Sequence, residues 1–136
     1  MAKQAIDKAT KEMHLVTTWD RKEDALKKVA EVIKKLQGLE IEYNEKKTAL
    51  ADVEAMGYDY AGTTYRAGKY LYLVYPSVNG QERRRKYIGA DPEKITQAMA
   101  MLNRGVLRDK LKREITSLES RVQSVGYNLD RALQDW

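Results

Sequence analysis

Hydrophobic and polar positions divide this chain into two long stretches of helical period with a short stretch of strand period between them. From Asp20 to Met56 the apolar positions Leu26, Val29, Ile33, Leu36, Leu39, Tyr43, Leu50 and Val53 recur at helical spacing, with Lys and Glu in between. A helix of that extent spans roughly 55 Å at ~1.5 Å per residue, longer than a compact domain of this size, so it needs a partner helix. Gly38 leaves one alternative open. Glycine costs about 1 kcal/mol inside a helix and could cap one helix before a second begins, but no proline lies nearby and a continuous helix is expected.

A second helix is predicted from Asp91-Pro92-Glu93, where Asp91 can cap, Pro92 suits the first turn and Glu93 favours the positive helix end. Ile95, Met99 and Leu102 form its first stripe, and Asn103-Arg104-Gly105 marks a kink or break. Leu111, Ile115, Leu118, Val122, Val125, Leu129 and Ala132 then alternate steps of four and three, the spacing of a coiled-coil seam. Its partner is the first long helix, folded back in the same chain or supplied by a second copy. Near the N-terminus Ile6, Met13 and Val16 suggest a short amphipathic helix ending around His14 to Thr18, with Thr17 or Thr18 capping the next.

The segment between the helices reads as strands. Asn79-Gly80 is a strong hairpin signal because a type I′ turn needs positive φ at both central positions. That turn pairs Val78 with Gln81, and counting back places Tyr72 opposite Tyr87 and Val74 opposite Arg85. Ala67-Gly68 is a second, weaker turn joining Ala61–Arg66 to Lys69–Tyr75, and it places Tyr65 opposite Tyr70. One sheet face then carries Tyr65, Tyr70, Tyr72, Tyr87, Arg83 and Arg85. The other carries Leu71, Leu73, Tyr75 and Ile88, with Arg84 and Lys86 toward the tip. Pro76 cannot donate to a ladder, so an edge or a bulge is expected there.

Charge sharpens this picture. The formal net charge is +5, and the hairpin Lys69–Gly89 supplies most of it, with Lys69, Arg83, Arg84, Arg85 and Lys86 set against Glu82 alone. Basic residues interleaved with tyrosines suit an anionic ligand with ring systems, most simply nucleic acid, because charge steers it and aromatic rings stack on it. Lys69, Tyr65, Tyr70, Tyr72, Tyr87 and the four residues Arg83, Arg84, Arg85 and Lys86 are therefore the candidate ligand-binding set. Two plainer readings stay open. The chain has nine tyrosines and no phenylalanine, so tyrosine must also build its core. Edge strands likewise use charge to block aggregation.

Other functions find little support in the residues. Without cysteine there is no disulfide, thiolate metal site or cysteine nucleophile. His14 is the single histidine, and neither a triad nor a glycine-rich phosphate loop is present, so no enzyme activity and no cofactor are expected. Asp91-Pro92-Glu93-Lys94 faintly matches an acid-and-lysine nuclease pattern, but helix initiation explains every residue of it. Trp19 and Trp136 read as packing anchors. No run approaches the ~18 apolar residues of a membrane span, so a cytoplasmic protein is expected.

The run from Tyr65 to about Ala98, with YLYLVYP, the Asn79-Gly80 turn, RRRKYIG and DPEKI, resembles a tyrosine-rich β-hairpin-plus-helix segment of poorly characterised phage, plasmid and archaeal mobile-element proteins. The resemblance covers about a quarter of the chain and implies a DNA-related setting. Many such proteins carry a cysteine-rich stretch before the hairpin, where this chain has MGYDYAGTTYRAG, so no metal-linked role carries over. The helix, sheet, helix layout also looks like small phage proteins that sequester nucleotide immune signals.

The expectation is one α+β domain, with helical arms at 1–56 and 91–136 forming a coiled-coil-like pair around a three-stranded antiparallel sheet at 57–90. It would bind nucleic acid or a nucleotide and form a homo-oligomer. The alternative is a phage inhibitor of a host defence system, docking its basic hairpin on a host protein with an acidic surface or sequestering a nucleotide signal.

Overall fold

The computed structural model describes the backbone of residues 2–136 and the side chains of residues 21–136. It is α+β: helix α1 (Ala2–Met56), strands β1 (Gly62–Arg66), β2 (Tyr70–Val74) and β3 (Arg85–Gly89), and helix α2 (Pro92–Gln134). The strands form one antiparallel sheet in the order β1-β2-β3. By backbone proximity the chain falls into two units, Met1–Ile41 and Glu42–Trp136. Among the described residues no helix is long and apolar enough to cross a membrane.

α1 is continuous through Gly38, where a Cβ would meet nothing within 4 Å. It also has no boundary at Thr17 or Thr18, which corrects the expected short N-terminal helix. The side chains of Ile6, Met13, His14, Val16 and Trp19 lie outside the described residues. α2 starts as its sequence dictates: the Asp91 carboxylate accepts from the Glu93 backbone N–H at 3.1 Å and Pro92 occupies the first turn.

α2 does not break at Asn103-Arg104-Gly105, and the reason Gly105 stands there is spatial. A Cβ on it would lie 2.3 Å from the Asp59 carbonyl oxygen and 3.2 Å from the Tyr60 ring. The chain leaving α1 crosses α2 at this bare patch. It is held by the Asp59 N–H donating to the Met101 carbonyl at 3.1 Å and by Arg104 Nε donating to the Gly57 carbonyl.

Within the second unit, α2 runs antiparallel to the last turns of α1. Tyr43 pairs with Glu119, Lys46 with Glu114 and Glu54 with Arg108, so rising positions on one helix meet falling positions on the other. Val53, Leu111, Ile115 and Leu118 are buried. The heptad seam is covered only in its first half, since Val122 and Leu129 stand 47% and 41% exposed. Trp136, expected as a packing anchor, is fully exposed.

The sheet is built on alternation. Leu71 and Leu73 of β2 are 0% and 3% exposed and pack with Ala98 of α2, with Ile88, Ile95, Leu102 and Tyr75 around them. Tyr70, Tyr72 and Val74 fall on the opposite, half-exposed face.

Candidate nucleic-acid interface

The turn at Asn79-Gly80 forms as its residues require. Both have positive φ, 54° and 74°, and the Gln81 N–H donates to the Val78 carbonyl at 3.1 Å. The count from that turn holds along the hairpin: Tyr75 N–H donates to the Arg84 carbonyl at 2.8 Å, Val74 faces Arg85 and Tyr72 faces Tyr87. Pro76 therefore causes no register shift. The irregularity lies at the far end, where Leu71 faces Gly89 and Ile88 is the extra residue of a bulge.

The first turn departs from expectation by one residue. Ala67 and Gly68 do take positive φ, 53° and 70°, but pairing resumes at Arg66 opposite Tyr70, which leaves Lys69 in a three-residue loop. A slip of one residue exchanges the two faces of a strand. Tyr65 thus pairs with Leu71 on the helix-side face and does not join Tyr70, a correction to the candidate set. Arg66 takes its place on the outward face, its guanidinium 4.9 Å from the centre of the Tyr72 ring.

The outward face gathers Tyr70, Tyr72 and Tyr87. Tyr72 and Tyr87 are 5.1 Å apart between centroids and tilted by 52°, and Lys69 stands 5.1 Å above the Tyr70 ring. Tyr87 is 57% exposed. Arg85 joins this face opposite Val74, and by alternation Arg83 follows beside Pro76. Arg83 lines a groove of about 520 Å³ together with Gly62, Val74, Pro76, Tyr60 and Tyr75.

Arg84 and Lys86 point the other way. Arg84 lies 5.3 Å from the Tyr75 ring, and Lys86, opposite Leu73, borders a helix-side groove of about 390 Å³ with Lys94 and Asp59. The basic run is thereby divided between two faces, as two-residue periodicity demands. Among the described residues none of Arg83, Arg84, Arg85 and Lys86 is ion-paired with a carboxylate.

Asp59 braces this end of the sheet, its carboxylate accepting from the Tyr75 hydroxyl. That hydrogen bond, with partial burial and the nearby negative charge, pushes the Tyr75 ionisation above its ordinary value. A second polar cluster sits at the helix crossing. Arg108 lies 4.4 Å from the Tyr58 ring, donates to the Tyr60 hydroxyl and pairs with Glu54, while the Tyr60 hydroxyl donates to Asp109. These groups satisfy one another, and Tyr60 also lines the groove beside Arg83. Arg66, Gly62 and Asp59 had escaped the sequence reading. Only the GTTYR alternation hinted at Arg66, and its facing depends on the loop length.

Comparison with protein-family models, with curated proteins and with solved structures gives no match for this chain. The functional reading accordingly rests on the geometry of the sheet.

Proposed function

We propose that this protein is a non-enzymatic binder of a phosphate-bearing ligand, nucleic acid first, and that the outward face of the sheet is its binding surface. The observation that carries the reading is the composition of that face: three tyrosines ringed by Arg66, Lys69, Arg83 and Arg85, with no carboxylate among the described residues paired to the arginines of the basic run. Half-exposed rings next to unneutralised cations suit a ligand that offers both phosphates and flat bases. A DNA-related setting for that activity is part of the same proposal, in keeping with the likeness of the hairpin sequence to phage and mobile-element segments.

The test is fluorescence anisotropy with labelled single- and double-stranded DNA and RNA across a salt series. Affinity should fall by about 0.7 to 0.9 log unit per phosphate contact per decade of salt. Replacing Arg66, Arg83 and Arg85 by glutamine should flatten that slope, and replacing Arg84 and Lys86 should change it much less. No detectable binding of any of the four probes at low salt would end the nucleic-acid reading. The same charges would then be assigned to a host protein with an acidic surface or to a small nucleotide.

A further inference from the structure

The outward face is not a uniform patch. Tyr72 and Tyr87 lie at one end, and the groove of about 520 Å³ opens at the other. Gly62 faces Val74, Val74 faces Arg85, and one pair further on Pro76 faces Arg83 across the Tyr75 to Arg84 hydrogen bond. Gly62, Val74, Pro76 and Arg83 share the face of the tyrosines, while Tyr60, Ala61, Thr63 and Tyr75 line the groove from the other side, so it opens at the end of the platform nearest the hairpin tip. Its lining combines the small or flat Ala61, Gly62, Val74 and Pro76 with the hydroxyl-bearing Tyr60, Thr63 and Tyr75, and Arg83 supplies the charge at its side. A groove of this volume falls within the usual range for a small ligand, and one nucleotide fits that scale.

Resting on the binding reading above, we infer that the ligand is a single strand that stacks its bases on Tyr72 and Tyr87 and threads the Gly62–Val74–Pro76 groove, with a phosphate against Arg83. A duplex hides its base faces everywhere except at its ends, so tyrosine rings in the middle of a sheet have nothing to stack on along its length. An unpaired strand offers every base as a ring face. The path from Tyr70 to Pro76 covers roughly 20 Å at ~3.3 Å per residue. That length suits the short end of the ~4 to 16 nucleotide sites seen for sheet-based single-strand binders.

Gly62 gives a direct test. A Cβ there would meet only the Val74 carbonyl oxygen, at 3.7 Å, and the backbone is not in the left-handed region, so a larger residue fits the strand. Gly62→Val fills the groove from its floor, removes no charge and adds a good strand residue. Titrations would use an eight-residue oligothymidylate and a twelve-base-pair duplex as probes, with the full-length parent and the variant. The oligothymidylate should bind the parent at least tenfold more tightly than the duplex. Gly62→Val should weaken oligothymidylate binding about tenfold or more with an unchanged melting temperature and an unchanged salt slope.

Equal affinity of the parent for strand and duplex would overturn the single-strand assignment without use of any variant. A folded Gly62→Val that binds the strand as the parent does would overturn the path through the groove. Either of these results leaves nucleic-acid binding itself standing. Failure of both probes to bind the parent at low salt instead removes the reading on which the inference rests.

Discussion

Two glycines of α2 should respond to the same substitution with opposite signs. Gly126 has nothing within 4 Å of where a Cβ would stand, so Gly126→Ala gains only the helical preference of alanine, about 0.8 to 1 kcal/mol. Gly105→Ala gains the same preference but places its methyl 2.3 Å from the Asp59 carbonyl oxygen, a backbone atom that cannot swing aside as a flexible side chain does. The crossing segment must retreat, which puts at risk the Asp59 to Met101 hydrogen bond, the Arg104 to Gly57 hydrogen bond and the Tyr75 to Asp59 brace. At about 1 kcal/mol for each bond, two or three losses outweigh the helical gain and leave a net cost of about 1 to 2 kcal/mol. For a chain of this size 1 kcal/mol shifts the midpoint by roughly 3 to 4 °C. Thermal melts followed by circular dichroism at the helix band should therefore show Gly126→Ala melting above the parent and Gly105→Ala below it. If Gly105→Ala melts as high as Gly126→Ala, the crossing at Asp59 is not the constraint described above.

Other expectations are independent of the binding reading. Leu118 is 3% exposed and Leu129 is 41% exposed on the same heptad seam, so Leu118→Asp should cost several kcal/mol by burying an unpaired charge, while Leu129→Asp should melt within a few degrees of the parent. If the exposed half of the seam mediates the expected self-association, light scattering will find Leu129→Asp shifted toward monomer, and a parent that is already monomeric at micromolar concentration removes that expectation. Because the Asp59 bond raises the ionisation of Tyr75, its contribution is fully present below the ordinary tyrosine value of about 10 and is lost as pH rises through the raised value. The stability advantage of the parent over Tyr75→Phe should shrink or reverse as pH rises beyond the ordinary tyrosine value of about 10, and an advantage independent of pH would show that the hydrogen bond does not form in solution.

The helices and the main hairpin were legible because their signals are local. Asp91-Pro92 sets a helix start through its own side chain and ring, and Asn79-Gly80 sets a turn through φ, from which Tyr72 opposite Tyr87 follows by counting. The first turn was read wrongly because Ala67-Gly68 supports either a two- or a three-residue loop, and only tertiary pairing decides that Lys69 belongs to it. Gly105 looked like a helix breaker because the reason for it, the carbonyl of Asp59, lies far away in sequence. The tyrosines divided between core and surface according to register: Tyr75 packs against the core and is tied to Asp59, Tyr70 and Tyr72 look outward, and Tyr65 changed sides with the slip.

The three-residue loop at Ala67–Lys69 has a bearing on how the outward face could diversify. Facing along β1 is fixed by loop length and not by the residues of the strand itself. Point substitutions in GTTYR alter one position at a time, whereas closing the turn with Ala67-Gly68 alone, so that Lys69 joins β2 opposite Arg66, would exchange the two sets wholesale, bringing Tyr65 beside Tyr70 and turning Arg66 inward. The identity of the exposed groups is thus more sensitive to which turn the loop residues adopt than to replacements within the strand. Sequences that agree closely in β1 but close the turn before Tyr70 with two residues in place of three would then present different chemistry to the same partner.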